Sequence, residues 1–415
     1  IPMVRELAIT ASIGVTYKIV TNLVMLPVAA SLFTFTQEYA DGAMLKREER
    51  SRWLRVIARV AEPRNAVITV LITAAIFGVS VWQSRGRVVG TVLPGAPELR
   101  PDARFNRDAV AISEGYDMGL DWLTVVFEAP PGSDRNAAIG TFVDDFTWKM
   151  SNVPGVMSVD SFSNQLRLYN EGYNEGNPKM SVVPIDPGNT AGLNAEIARL
   201  RGYMNKDASM TAAHMYLTDH KAVTINRVIA AAKEFRSANS LENVKVRLAA
   251  GNAGVQAAIN DEVEKSELPM MLYVYAAILV LVFLAYRDVR AMLACCMPLA
   301  VGTFIGYWFM KELNIGLTVA TLPVMVLAVG IGVDYAFYIY NRLQLHLAHG
   351  QPIGQALEQA ILEVGTATIF TAVTLAVGVA TWSFSELKFQ ADMGKLLAFM
   401  FMVNMVMAMT ALPAF

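Results

Sequence analysis

The sequence predicts a membrane-embedded all-α bundle of seven transmembrane helices, carrying one extracytoplasmic α+β domain of split βαβ units. Three observations predict it. Seven segments are long and apolar enough to cross a hydrocarbon core about 30 Å thick, which needs roughly 20 residues as a helix. A cluster of lysines and arginines between the first two segments sets an orientation. One long stretch, 84–267, has the composition of an ordinary soluble domain.

The composition excludes other classes. Apolar residues make up 54% and charged residues 17% of the 415, against about 45–50% and about 25% in soluble domains. Mean hydropathy is +0.39. A disordered chain, a fibre and a secreted disulfide scaffold are all inconsistent with this. The net charge of −2 gives no electrostatic footprint for nucleic acid. The two cysteines, Cys295 and Cys296, are adjacent in an apolar run and build no disulfide framework. Ile1 is not an initiator and Phe415 falls inside an apolar helical pattern, so the sequence reads as a piece of a longer polypeptide.

In chain order, the first span is expected at 7–33, closing a first domain at 1–33. Residues 34–64 then form a cytoplasmic amphipathic linker. Lys46, Arg47, Arg50, Arg52, Arg55, Arg59 and Arg64 place that loop inside. Trp53, Leu54, Ile57, Ala58 and Ala61 recur near a helical period, as in a helix lying on the inner leaflet. The second span is 65–83, and alternation puts 84–267 outside. Strand-like runs at 122–128, 155–162, 211–217 and 244–250 alternate with helical patterns at 135–150 and 222–238, a split βαβ order. A further helical pattern covers 190–204. Gly172, Gly176, Pro178, Pro184, Pro187 and Gly188 mark an irregular connection. A polar helix from Ala253 to Lys265 runs straight into the third span, and a continuous helix there would transmit rigid-body motion. Residues 268–415 complete a five-helix portion with spans at 268–286, 291–311, 318–341, 361–382 and 391–415.

A weak internal repeat links the ends. Glu6 to Pro27 and Asp392 to Pro413 share an acidic residue, an apolar stretch and a Leu-Pro ending, with no gap. The first and last spans read as equivalent members of two tandem halves.

The fifth span carries the most informative residue. Asp334 lies within Leu322–Arg342, where a carboxylate costs roughly 2.5–3.5 kcal/mol on insertion scales. Such a group must face the bundle, pair or take up a proton, which makes it a natural proton carrier. Tyr335 is adjacent, and Tyr338 sits one turn on, on the same face. Gly330 and Gly332 are expected to let another helix approach closely. Thr366, Thr368, Thr371 and Thr374 give the sixth span a hydroxyl-rich run, with Thr371 the candidate relay member. Asn404 in the last span is placed to hydrogen-bond a neighbouring helix.

Enzyme chemistry finds little support. There is no Gly-x-Ser-x-Gly elbow and no phosphate-binding loop. His346 and His349 lack the further ligands that a zinc site needs. His214 and His220 read as surface residues, Asp144 and Asp145 as a solvated helix face, and Asp121 as a strand boundary.

The residues 330–342, Gly-Ile-Gly-Val-Asp-Tyr-Ala-Phe-Tyr-Ile-Tyr-Asn-Arg, resemble the Gly-Val-Asp-Tyr span of the resistance–nodulation–division (RND) superfamily. The closer likeness is to the branch holding the mycobacterial large membrane lipid exporters, the hopanoid transporters and the hydrophobe/amphiphile exporters. His349-Gly350 through Phe370-Thr371, the Phe389 to Gly394 opening of the last span and the two Leu-Pro endings agree with it. The resemblance is specific over 318–415 and topological over 84–267. It implies that the seven spans are the sixth to twelfth of a twelve-span transporter whose first half is not in this sequence. It implies a bacterial inner-membrane protein with a periplasmic porter domain at 84–267. The implied activity is proton-coupled export of hydrophobic or amphiphilic molecules, lipids among them. Asp334 would be the second-half proton carrier with Tyr335 as its neighbour, and protons would be the coupling ion with no other cofactor. Membrane lipids, the remaining half of the transporter and further copies of the chain are the partners compatible with it. A non-transporting lipid or sterol sensor, or an assembly protein of the same fold, is the competing class.

Overall fold

A computed structural model describes residues 2–32, 52–116, 119–185 and 202–415. Lys46, Arg47 and Arg50, and residues 190–201 of the expected helical pattern, lie outside the described residues. The chain divides into two units. One comprises Ile1–Arg87, Glu262–Ser385 and Phe389–Phe415; the other comprises Val88–Asp261 with Glu386–Lys388.

The helical unit opens with α1, Pro2–Val20, a π segment at Thr21–Met25, and α2, Leu26–Ser31. A short helix at 52–58, α3, follows. Here Leu54 and Ala58 are buried while Trp53 is 80% exposed, the split expected of an amphipathic helix. Gly365 provides the space for Leu54: a Cβ there would meet Leu54 Cδ2 at 2.9 Å. Helix α4, Pro63–Ser84, starts with proline in its first turn, where no amide partner is lost.

The second unit holds α5 (Arg104–Tyr116), β1 (Asp121–Glu128), α6 (Ala137–Ser151), β2 (Val156–Ser161), α7 (Phe162–Tyr173), β3 (Met210–Leu217), α8 (Ala222–Ala238) and β4 (Lys245–Ala250). The sheet order is β2-β3-β1-β4, with every pairing antiparallel. β1 and β2 therefore run parallel with β3 between them, so each strand–helix–strand unit is split by a strand of the other. Alternation sends Val125, Phe127, Met215 and Val246 to one face, against Phe146, Ile225 and Val228 of the two crossover helices. Phe127 meets Phe146 edge-on at 5.2 Å, and Phe146 meets Phe235 at 5.2 Å. Side-chain caps start two helices: Asn136 accepts from the Ala138 amide, and Ser161 from that of Asn164. Two helices, α5 and α7, were not anticipated, and Gly172 lies inside α7 rather than in an irregular connection. Its polar face hid it, since only Phe162 and Leu166 carry its large apolar contacts.

The remaining helices are α9 (Asn252–Tyr286), α10 (Val289–Glu312), α11 (Leu322–Ala348), α12 (Ile353–Ala380) and α13 (Lys388–Ala414). The polar stretch 253–265 and the third span form the single helix α9, which tolerates Pro269 inside it. Arg287 leaves α9 in the left-handed region, with φ 52°. Asp288 caps α10 by accepting from the Arg290 amide at 2.8 Å. Counting Ala8–Ser31 as one, seven helices among the described residues are long and apolar enough to cross a membrane. Phe309 of α10 stacks on Phe399 of α13 at 3.7 Å.

Two sequence expectations for the sheet unit need correction. His220 is buried, not a surface residue: its Nδ1 lies 2.8 Å from Asp121 Oδ1, which also accepts from Asn252 Nδ2 at 2.9 Å. Asp121 is thus a tie between the start of β1 and the start of α9, more than a strand boundary. Asp144 is not simply solvated either, since it pairs with Arg167 of α7; Asp145 remains exposed. In both cases the partner lies on a non-neighbouring element and carries no periodic signal.

His214 stands in a row across three strands, opposite Thr124 and Asp160. Thr124 Oγ1 is 2.9 Å from its Nδ1, and Tyr203 donates to Asp160. Burial holds the imidazole below its ordinary value of 6.5, with the Asp160 carboxylate opposing. The folded protein then binds fewer protons here than the unfolded chain. This contribution is intact above pH 6.5 and is lost as the pH falls below it. The thermal stability of the purified protein is expected to fall as the pH drops below 6.5, and His214→Gln is expected to flatten that fall.

Candidate functional site

Asp334 is the thirteenth of the 27 residues of α11. Two faces of this helix differ sharply. Val329, Gly332, Val333, Tyr335, Ala336 and Ile339 are buried, whereas Leu327, Gly330, Asp334, Tyr338 and Asn341 are exposed or partly so. The spacing of 330, 334 and 338 puts Gly330, Asp334 and Tyr338 on one open stripe. Tyr335 lies on the other side, 1% exposed against 45% for Tyr338. Its hydroxyl is buried and has no hydrogen-bond partner among the described residues.

The close helix approach expected of both glycines belongs to Gly332. A Cβ there would collide with Asn404 of α13 and meet Leu299 Cδ2 of α10 at 2.7 Å. A Cβ at Gly330 would meet nothing within 4 Å, because Gly330 shares the open stripe with Asp334. Asn404 is the node of this packing. It is 2% exposed, its Nδ2 donates to Ala328 O of α11 at 2.7 Å, and it also fills the space beside Gly302. Gly332→Ala is expected to cost about 1–3 kcal/mol through overpacking. Gly330→Ala is expected to be neutral or slightly stabilising. Thermal unfolding of the two variants side by side checks this.

No hydrogen bond among the described residues joins Asp334 to Tyr335, Tyr338 or Thr371. Thr368 is buried and donates to Val364 O of its own helix at 3.0 Å, the usual use of threonine in an apolar helix. Thr371 is half-buried and Thr374 exposed. Toward the end of α11, Tyr286 donates to Asn341 Oδ1 at 2.8 Å, Arg342 pairs with Glu363 of α12, and His346 Nε2 lies 3.5 Å from the same carboxylate. Sequence reasoning missed Glu363, Asn341 and Tyr286. The available signal was an acid near the start of one span and a base near the end of the preceding one. Cys295 and Cys296 are buried free thiols. No group of three or more His, Cys, Asp or Glu able to hold a metal occurs among the described residues.

A second charge cluster, partly buried, lies in the helical unit. Arg87 donates to both Glu267 oxygens at 2.8 Å and sits 4.7 Å over the Tyr307 ring. Lys311 donates to Gln83 Oε1 at 2.8 Å beside it.

These features define a multi-pass membrane protein with a carboxyl group in the middle of one span and a separate α+β unit. The profile of the MMPL family matches residues 191–415, and the chain belongs to that family. It is 30% identical over 137 residues to a protein of Methanocaldococcus jannaschii named as a membrane protein, covering 33% of this chain and 35% of that one. It is 26% identical over 148 residues to a protein of Mycobacterium tuberculosis named as a transport protein, MmpL12, covering 33% of this chain and 12% of that one. The matched segment thus spans about a third of the first relative and about an eighth of the second.

Proposed function

We propose that the chain is part of a membrane transporter of the RND type that exports hydrophobic or amphiphilic molecules against proton influx. One observation carries the reading. Asp334 is a carboxyl group at the middle of an apolar helix, on an open stripe, with no hydrogen bond to it among the described residues. A carboxyl group so placed exchanges a proton and changes the local charge as it does so. Membership of the MMPL family and the transport-protein name of the mycobacterial relative support the transporter class over an enzyme.

The mechanism follows from the charge change. Protonated from outside, Asp334 is neutral and its helix packs as an apolar rod. Discharged inside, it is an anion that its surroundings must accommodate, and α11 shifts against its neighbours. Gly332 and Asn404 couple α11 to α10 and α13, so the shift spreads through the helical unit. The α+β unit acts as the porter on the periplasmic side of a bacterial inner membrane. A potential of 100 mV supplies about 2.3 kcal/mol per proton, to which a pH gradient adds.

The test is export by the full-length protein in sealed vesicles, using a fluorescent lipid and a hydrophobic dye as probes. Export that requires an imposed proton gradient and collapses with a protonophore supports the reading. Probe binding without gradient-dependent movement overturns it in favour of a lipid-sensing role.

A further inference from the structure

We infer that a backbone tie between Glu98 and Lys388 fastens α13 to the sheet unit, and that α13 carries movement of the Asp334 helix to that tie. The chain passes between the two units at Arg87–Val88 and at Asp261–Glu262, before and after the sheet domain. It passes again where no domain is inserted. Glu386–Lys388, in the turn between α12 and α13, belong to the sheet unit, while Ser385 and Phe389 on either side belong to the helical one. The Lys388 amide donates to Glu98 O at 2.9 Å, and Leu99 pairs with Leu387 as an antiparallel bridge.

Both partners in the tie are held in shape. Asn106 of α5, 3% exposed, accepts from the Ala96 amide at 2.9 Å and donates to Arg100 O at 2.8 Å. These two bonds fix the loop 96–100 at both ends. Gly95, with φ 87°, makes room for them, since a Cβ there would meet Asn106 Oδ1 at 2.5 Å. Lys388 opens α13, and the first amides of a helix have no acceptor inside it. Here that free amide goes to Glu98. The turn before it is stiff as well. Ser385 Oγ donates to Gln390 Oε1 at 2.9 Å, and a Cβ at Gly394 would meet Val379 O and Trp382 Cβ at 2.7 Å.

Along α13, Asn404 lies about 24 Å from Lys388 at the rise of an α-helix. Asn404 Nδ2 bonds Ala328 O of α11 and occupies the space beside Gly332, two residues before Asp334. One continuous helix therefore has a joint to the loop 96–100 at its start and a joint to the Asp334 helix in its body. A helix transmits displacement along its length because its backbone bonds resist stretching. The consequence rests on the proton-coupling reading: a shift of α11 on discharge of Asp334 pulls Asn404, and α13 passes the pull to Glu98. Lys388 is a positioning residue in this scheme, through its amide and not its charge.

Lys388→Pro removes that amide at the first helical position, where proline is tolerated. Lys388→Gln keeps the amide and removes the charge. In sealed vesicles at matched abundance of the full-length protein, Lys388→Pro is expected to lower gradient-driven export about fivefold, the worth of one hydrogen bond, and Lys388→Gln to leave it near the parent. Equal export by the two variants overturns the inference. Leu99→Cys with Leu387→Cys is expected to form a disulfide under mild oxidation in membranes, because facing residues of such a bridge lie within its reach. Failure to form it overturns the tie. Added to Lys388→Pro, the closed disulfide is expected to restore export and its reduction to remove it again; no recovery shows that proline acts by damaging α13 and overturns the inference. Hydrogen exchange of 322–341 in detergent needs no transport. It is expected to be about fivefold faster in Lys388→Pro than in Lys388→Gln, and slowed again by the disulfide. Equal exchange overturns the link. If exchange responds in this way while the parent moves no probe against a gradient, the transport reading fails and the link stands.

Discussion

Asp334→Asn is expected to abolish gradient-driven export, leaving only the rate seen with a protonophore. Asparagine preserves size and polarity but carries no titratable proton. At matched membrane abundance, the loss is therefore a loss of coupling and not of the protein. Asp334→Glu, which keeps the carboxyl and moves it by one methylene, is expected to retain part of the activity. Vesicle export measured for the three forms under one imposed gradient makes the comparison. Unchanged export by Asp334→Asn would remove this carboxyl from the mechanism. The structure explains why one side chain is expected to have so complete an effect. From Leu322 to Asn341 it is the sole charged residue of its helix, and among the described residues no tyrosine or threonine hydrogen-bonds to it.

The largest expected loss of stability is at Glu267. Its side chain is 10% exposed and receives both hydrogen bonds of one Arg87 nitrogen, with Tyr307 packed under the guanidinium. Glu267→Leu leaves that partly buried guanidinium, 28% exposed, without a counter-ion, at an expected cost of about 2–3 kcal/mol. The companion change Arg87→Met removes the stranded charge, so the double variant is expected to recover most of the loss. Thermal unfolding of the four forms in detergent measures the coupling. A single variant as stable as the parent would show that the pair is solvated and makes little net contribution.

Much of this fold was legible before any coordinate. Length and apolarity find the seven membrane helices, because a bilayer demands both together. Period-two alternation finds β1, β3 and β4, because each buries one face on Phe127, Met215 or Val246. What escaped was set by partners distant in sequence. α7 is short and mostly polar, and its amphipathic stripe of Phe162, Gln165 and Leu166 lies in a stretch that its glycines and the prolines after it mark as irregular. Buried His220 pairs with Asp121, 99 residues before it in sequence, and Asp121 in turn accepts from Asn252, so the fold alone brings the three together. At the candidate site, the sequence exposes the unusual residue but not its orientation. Asp334 was conspicuous as a charge among apolar residues. That Gly330 joins its open stripe while Gly332 closes on Asn404 depends on where α10 and α13 lie.

The wide turn at Thr21–Met25 has a consequence for the repeat that joins the chain's two ends. A π turn takes one residue more than an α turn, which offsets everything beyond it by about 100° of rotation. The last span has no such turn between Asn404 and Pro413. The two spans therefore share a residue count and a Leu-Pro ending, yet their final turns are rotated differently about the helix axis. Removing one residue from 21–25 would bring the endings into phase and rotate Leu26–Ser31 by about 100° about the helix axis. A rotary offset of this kind makes the first span and the last span non-interchangeable, even though their sequences line up without a gap.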